Sequence, residues 1–236
     1  YTEDFLVTSN RKVGIMSRNK EIKVDLLYDS IEFMDFDAGL YLVERDGKYG
    51  VIDTKGNTKI YAEFDEIGID ITRFEKNDIK NKYILVDNLI PVKKNGKWGL
   101  FDKNGSQLVD FTYDSFGYIA STNKDALNLL VIPGYNVIVG CRDGKYTLIN
   151  SSGTQPFSAF VDDIYLVISS NQEHYYMRAN DRTYDVEEYL DRLGVRNTSS
   201  SSSSNTTSNT TSSNTTNSNT SGNNTSNSNT TQNNAE

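Results

Sequence analysis

Trp98, Tyr49 and Tyr146 stand at one register of the chain, each directly after a lysine, in Lys97-Trp98-Gly99, Lys48-Tyr49-Gly50 and Lys145-Tyr146-Thr147. Aromatic side chains at a repeated position serve one of two ends. Exposed, they are platforms for sugar rings; buried, they plug the same core position in successive units. These three are the candidate ligand-binding residues, with core plugging as the competing expectation. A second series, Asp29, Asp65, Asp114 and Asp162 with Asp53, Asp102 and Asn150, invites a calcium reading. No Asp-x-Asp-x-Asp-Gly loop supports it. Turn and strand-start chemistry, in which Asp bonds nearby backbone, accounts for both sets.

Catalytic constellations are thin. His174 and Cys141 are each the one residue of their type, and nothing near His174 reads as a nucleophile elbow. The lone cysteine offers no disulfide framework and no zinc site, and reads as a small buried apolar residue. A two-carboxylate hydrolase depends on geometry that sequence does not give. The densest acidic cluster, Glu63, Asp65 and Glu66, reads as a solvated strand start. The glycines read as turn glycines rather than a phosphate loop. The expectation is a protein with no catalytic residue, no metal and no cofactor.

The elements that hold these residues recur. Anchored on Lys12, Lys48, Lys97 and Lys145, an apolar-Asp pair follows sixteen residues on in every case, at Tyr28-Asp29, Phe64-Asp65, Tyr113-Asp114 and Val161-Asp162. The lysines are 36, 49 and 48 residues apart, so length varies only after the Asp. Asp46-Gly47, Asn95-Gly96 and Asp143-Gly144 are hairpin signals, because a type I′ turn needs φ > 0 at both central residues. Apolar runs precede them and alternating strands follow. A second turn runs from Asp53 to Gly56 and from Asp102 to Gly105. Three to four antiparallel strands per unit result. Phe5-Leu6-Val7 becomes the first strand of the first unit, and Pro91 is expected on a unit's edge strand, where a missing N–H is tolerated.

Lys97-Trp98-Gly99-Leu100-Phe101-Asp102-x-x-Gly105, Tyr113-Asp114 and Phe36-x-x-Gly39-Leu40-x-x-Val43 resemble the bacterial WG (KWG) repeat. The resemblance covers nearly all of residues 1–171 and is most specific in the second and third units. Val13 and Tyr146 stand in place of Trp, and Thr147 in place of Gly. It implies a β-repeat module of the kind carried on bacterial envelope proteins, and brings no catalytic residues with it.

The predicted architecture is all-β: about four meander repeats at 1–37, 38–79, 80–125 and 126–171, in a propeller-like or open curved array. Residues 172–196 add a strand at His174–Arg178 and a short helix at Tyr184–Gly194 with Val186, Tyr189, Leu190 and Leu193 on one face. Residues 197–236 are almost wholly Asn, Ser and Thr and read as a disordered tail or linker. Net charge is −8, with 24 Lys and Arg against 32 acids, which argues against nucleic acid. No segment reads as membrane-inserting. These features predict a non-enzymatic binding or scaffold module on a bacterial cell surface, with an unknown protein or glycan as partner. A carbohydrate-binding or glycan-active domain and a pure spacer are the alternatives, and a cytoplasmic location stays open. Binding residues beyond the aromatic register are sought in the connection from Arg73 to Lys82.

Overall fold

The computed structural model describes residues 4–74, 81–121 and 124–195. The predicted tail at 197–236 lies outside them, as does most of the Arg73–Lys82 connection. Among the described residues five separate antiparallel sheets follow one another in chain order, with no closed barrel. The first holds β1 (Asp4–Ser9), β2 (Lys12–Ser17) and β3 (Ile22–Tyr28). The second holds β4 (Ser30–Asp35), β5 (Leu40–Arg45), β6 (Lys48–Asp53) and β7 (Thr58–Phe64). The third holds β8 (Glu66–Ile67), β9 (Ile90–Lys94), β10 (Lys97–Phe101) and β11 (Gln107–Tyr113). The fourth holds β12 (Ser115–Phe116), β13 (Val131–Ile132), β14 (Val137–Arg142) and β15 (Lys145–Asn150). The fifth holds β16 (Asp163–Ser169), β17 (Gln172–Ala179) and β18 (Arg182–Asp185), followed by α1 (Val186–Arg192).

Each inner sheet is sandwiched between neighbours, and strand alternation shows how. In β5, Tyr41 and Val43 pack with Ile15 and Val24 of the first sheet, whereas Leu40 and Leu42 pack with Ile90 and Val92 of the third. Corresponding clusters join the third sheet to the fourth, around Trp98, Leu100 and Ile138, and the fourth to the fifth, around Val139, Ile164 and Leu190. Strands covered on both faces read as continuous apolar runs, which is why Leu40–Val43 and Val137–Val139 show no alternation of polarity.

The hairpin turns form as expected: Asp46 and Gly47 sit at φ 53° and 73°, Asn95 and Gly96 at 53° and 78°. Asn10 and Arg11 adopt the same turn at 50° and 62° without glycine. The glycine of the Trp-Gly pair serves a different purpose from a turn glycine. In the first three sheets the strand that follows carries a bulge opposite it: in the second, Tyr49 pairs with Phe64 while Val51 pairs with Ile60, a step of two residues against a step of four. The same shift recurs at Val13/Ile15 and Trp98/Leu100. A Cβ on Gly14, Gly50 or Gly99 would lie 2.5, 2.6 or 2.7 Å from the bulge carbonyl. In the fourth sheet Thr147 occupies this place, and the bulged strand is replaced by a single bridge, Tyr146 to Val161.

The sheets are phased one strand earlier than the sequence units. A new sheet begins at the residue after each repeated Asp, with strands as short as Glu66–Ile67 and Ser115–Phe116. Pro91 is accordingly on an inner strand, not an edge strand, since β9 lies between β8 and β10. It is tolerated because β8 is spent by then: Ile67 pairs with Val92, and Gly68 donates to the Pro91 carbonyl. The expected strand and helix are both present, as β17 and α1, and β17 is joined by β16 and β18 in a three-stranded fifth sheet. Asp185 caps that helix by accepting from the Glu188 N–H at 2.8 Å. Val186 and Leu190 are buried as expected, but Leu193 is exposed because the helix ends before it.

Gly50→Ala or Gly99→Ala is expected to cost about 2 kcal/mol or more, as backbone collisions in packed sheets do. Chemical denaturation checks this. Thr147→Gly, where no bulge presses, should cost less than either.

Candidate binding cleft

The repeated Asp works as a clasp between sheets. Asp29 receives the Lys12 ammonium at 2.6 Å on one oxygen and the Asp46 N–H, from the next sheet's hairpin turn, at 2.6 Å on the other. Asp65 repeats this with Lys48 at 2.6 Å and the Asn95 N–H at 2.7 Å. Asp114 does so with Lys97 and the Asp143 N–H, and Asp162 with Lys145. Each Asp also donates its own N–H to the following sheet, to the carbonyls of Glu44, Lys93, Cys141 and Arg178. The lysine first, then the turn N–H where there is one, holds these carboxyls below the ordinary range. A second constant contact is steric. Gly56, Gly105 and Gly153, all at positive φ, press against the Lys23 and Lys59 carbonyls and against Leu108 in the preceding sheet. Asp53, Asp102 and Asn150 close the turns carrying these glycines by accepting backbone N–H groups. Both Asp series are thus held in turn and inter-sheet contacts, and the described residues contain no metal-ligating group of three His, Cys, Asp or Glu.

The aromatic register lies between sheets. Trp98 is buried, opposite Tyr113 and Lys93, with the Lys93 ammonium 5.3 Å from its ring. Tyr146 is half-buried, its ring 5.2 Å from Tyr118. Burial, with Cys141 beside it, pushes its hydroxyl up to about 12. Tyr49 is half-buried and borders a cleft of about 500 Å³ between the second and third sheets. That cleft is rimmed by Glu32, Glu66, Asp70 and Lys82, with the Lys82 ammonium 4.6 Å from the Tyr83 ring. In the acidic cluster Glu63 of the second sheet reaches across to Lys94 of the third at 2.9 Å, while Glu66 pairs within the third sheet with its ladder partner Lys93 at 3.0 Å. His174 lies on β17 with its ring stacked on Tyr176 at 6.1 Å.

A larger cleft, of about 970 Å³, opens between the first and second sheets. Leu6 and Ile15 form one wall; Ile31, Phe33 and Tyr41 form the other. Asp4 and Asp37 stand at the rim, Asp4 paired with Lys23 at 2.8 Å. The loop after β4 builds the floor. Asp35 closes it by accepting the Ala38 N–H at 3.0 Å, Gly39 turns it at φ 62°, and the Gly39 carbonyl takes the Thr54 N–H at 3.0 Å. Burial opposes ionisation of Asp35, but the Ala38 N–H and the Lys103 ammonium, 3.2 Å away, outweigh it and its carboxyl is held below the usual range. This anchored loop throws Phe36 outward. The ring is 82% exposed, yet stacked on Phe33 at 3.7 Å, which in turn meets Tyr41 edge-on at 5.0 Å. An exposed ring held by a second ring is a preorganised platform. The signal available in the sequence was Phe36 itself, inside the Phe36-x-x-Gly39 motif, where it reads as part of the repeat rather than as a site.

The fold and its clasps define a class of stacked antiparallel β-repeat proteins. Residues 14–49, 49–78 and 98–121 match the model of the WG containing repeat, and the meanders they span are WG-type β repeats. No curated protein matches it. Among solved structures it is similar to one titled "Crystal structure of the eukaryotic initiation factor", at 9% identity and a TM-score of 0.34, over 78% of this chain and 49% of that one. The chain therefore spans about half the length of that structure.

Trp98→Ala is expected to cost about 3 kcal/mol in denaturant unfolding, as loss of a buried aromatic does. Phe36→Ala should leave the unfolding midpoint unchanged. The stabilising effect of the depressed clasp carboxylates is present above the ordinary carboxylate range and lost as pH falls through their lowered values. The gap in thermal midpoint between the native protein and Asp65→Ala should therefore narrow on acidification from pH 7 to about pH 3.

Proposed function

We propose that this protein is a non-enzymatic binding module whose ligand lies in the cleft between the first and second sheets. The observation that carries this reading is the Phe36–Phe33 stack, a large apolar surface held in the open by an anchored loop. Exposed aromatic surface beside a concave, mainly apolar wall is characteristic of ligand sites. The carboxylates nearest it support binding more than catalysis, since Asp4 is engaged by Lys23. The described residues contain no helix long and apolar enough to cross a membrane, and the reading requires no insertion. The Asn/Ser/Thr composition of residues 197–236 supports a tether and hence display at a bacterial cell surface. Carbohydrate is a second reading of the same cleft, favoured by the exposed ring platform on which a sugar face would lie.

Arrays of glycans and of extended peptides, probed with the native protein and Phe36→Ala, test the proposal. A saturable ligand weakened at least about tenfold by Phe36→Ala is the expected result, consistent with loss of an aromatic contact. Ligands indifferent to Phe36, or none, overturn it, and turnover of a bound glycan or peptide removes the word non-enzymatic.

A further inference from the structure

The crossing between the second and third sheets carries charge that the fold does not need. There the turn from Asp102 to Gly105 sits on the backbone of Lys59, with Gly105 against its carbonyl. Beside this crossing lies a pocket of about 310 Å³, backed by the loop after β4, the leading strand of its sheet. Lys55, Lys59 and Lys103 line it together with Thr54 and Asn104, and Asp53 is the one acid among the lining residues. Counted from the repeated lysines, the next crossing has Leu108, Ser151 and Ser152 where this one has Lys59, Lys103 and Asn104. Gly153 presses on Leu108 there as Gly105 does on Lys59, so the same crossing forms without the lysines. Three ammonium groups thus gather at one point of a chain whose net charge is −8, where the stacking does not require them.

We propose that this pocket binds a phosphoryl group, either as free phosphate or at the end of a phosphorylated ligand. An ammonium has several N–H donors and no acceptor, so each of these lysines keeps donors beyond the contacts it makes. Lys59 meets Asp53 at 3.5 Å and Lys103 meets Asp35 at 3.2 Å. Lys55 is exposed, and its ammonium meets no carboxylate among the described residues. The carboxylates are the more buried partners. The Asp53 and Asp35 side chains are 18% and 5% exposed, against 31% and 23% for their lysines. Their charge is also shared among other donors. Asp53 accepts the Lys55 and Asn57 N–H groups and the Asn57 amide, all at 2.9 Å, and Asp35 accepts the Ala38 N–H. The pocket side is therefore rich in donors and positive, and a tetrahedral oxyanion supplies the acceptors it lacks. Both turns are closed before any ligand arrives: the Gly39 carbonyl takes the Thr54 N–H, and Asp102 accepts from Asn104 and Ser106. The pocket shares only Ala38, Gly39 and Thr54 with the aromatic cleft, and the proposal stands whatever occupies that cleft.

The probes are inorganic phosphate, glucose 6-phosphate and glucose, each titrated into the isotope-labelled 236-residue protein and followed by amide NMR. Ionic strength is held constant, at about pH 7.5, where a phosphoryl group is close to doubly charged. Saturable shifts of the amides at Thr54–Gly56 and Lys103–Gly105 are expected with both phosphates and not with glucose. Equal affinity for the two makes this a site for the free anion, and tighter binding of the sugar phosphate makes it a site for a phosphorylated ligand; either upholds the proposal. Lys55→Gln combined with Lys59→Gln should weaken both about tenfold or more, the order expected for lost hydrogen bonds to a charged group. The shifts in the native protein need no variant, so a double variant that folds poorly leaves the test intact. Shifts that rise without saturating, that glucose reproduces, or that appear equally at lysines outside the two turns overturn the proposal. Undiminished affinity in a folded double variant does the same. The aromatic cleft is tested separately by Phe36→Ala, so failure of one site does not decide the other.

Discussion

One carboxylate per repeat joins one sheet to the next. The repeated Asp closes a loop of interactions around the end of its own sheet, through the lysine seventeen residues before it, and pins the first turn of the sheet that follows. It is also the point where the chain leaves one sheet and starts another. Covalent connection and non-covalent clasp coincide, so each new sheet is oriented as it begins. The pairs are solvent-exposed, and exposed ion pairs are individually weak. What they add is register: the lysine, the turn and the Asp meet only when neighbouring sheets are aligned as the apolar clusters require.

Two kinds of glycine reinforce this geometry for different reasons. Gly56, Gly105 and Gly153 combine left-handed backbone with close approach to the preceding sheet, so both conformation and space exclude a side chain. Gly14, Gly50 and Gly99 have ordinary backbone and are excluded from bearing a Cβ by space alone. The fourth sheet illustrates the second constraint: with Thr147 at that position, the bulged strand is absent. The residue before each such glycine lies opposite the one that precedes the clasp Asp, as Val13 does to Tyr28, Tyr49 to Phe64 and Trp98 to Tyr113.

Much of this was legible in sequence. The sixteen-residue spacing between lysine and apolar-Asp pair located the meander, and Asp-Gly and Asn-Gly located the hairpins, because only a few residues tolerate positive φ. The phasing of the sheets was not legible. Strands of two residues, as at Glu66–Ile67, carry no periodicity, and the longer apolar run after each connection reads as the natural start. Reading every glycine as a turn glycine hid the close approach at Gly50 and Gly99, which depends on a bulge ten or more residues away in sequence. The cleft was hidden for a related reason. Phe36 is conspicuous only once Asp35 and Gly39 are seen to fix the loop that carries it, and Leu6 only once its counterpart Leu42 is seen to be covered.

The connection that follows each leading strand is where the repeats differ in length. It is short after β4, at Phe36–Gly39, and long after β8 and β12, where it extends to Leu89 and to Leu130. Neither the clasp Asp nor the crossing glycines lie within its described residues, and the contacts it makes to neighbouring segments are of another kind, such as Asn81 donating to the Met34 carbonyl and Asn128 to the Arg73 carbonyl. The fold thus places its constant contacts at one end of each sheet and its connections of variable length at the other. Length can therefore change at that end while the clasps and glycine crossings that join the sheets stay in place.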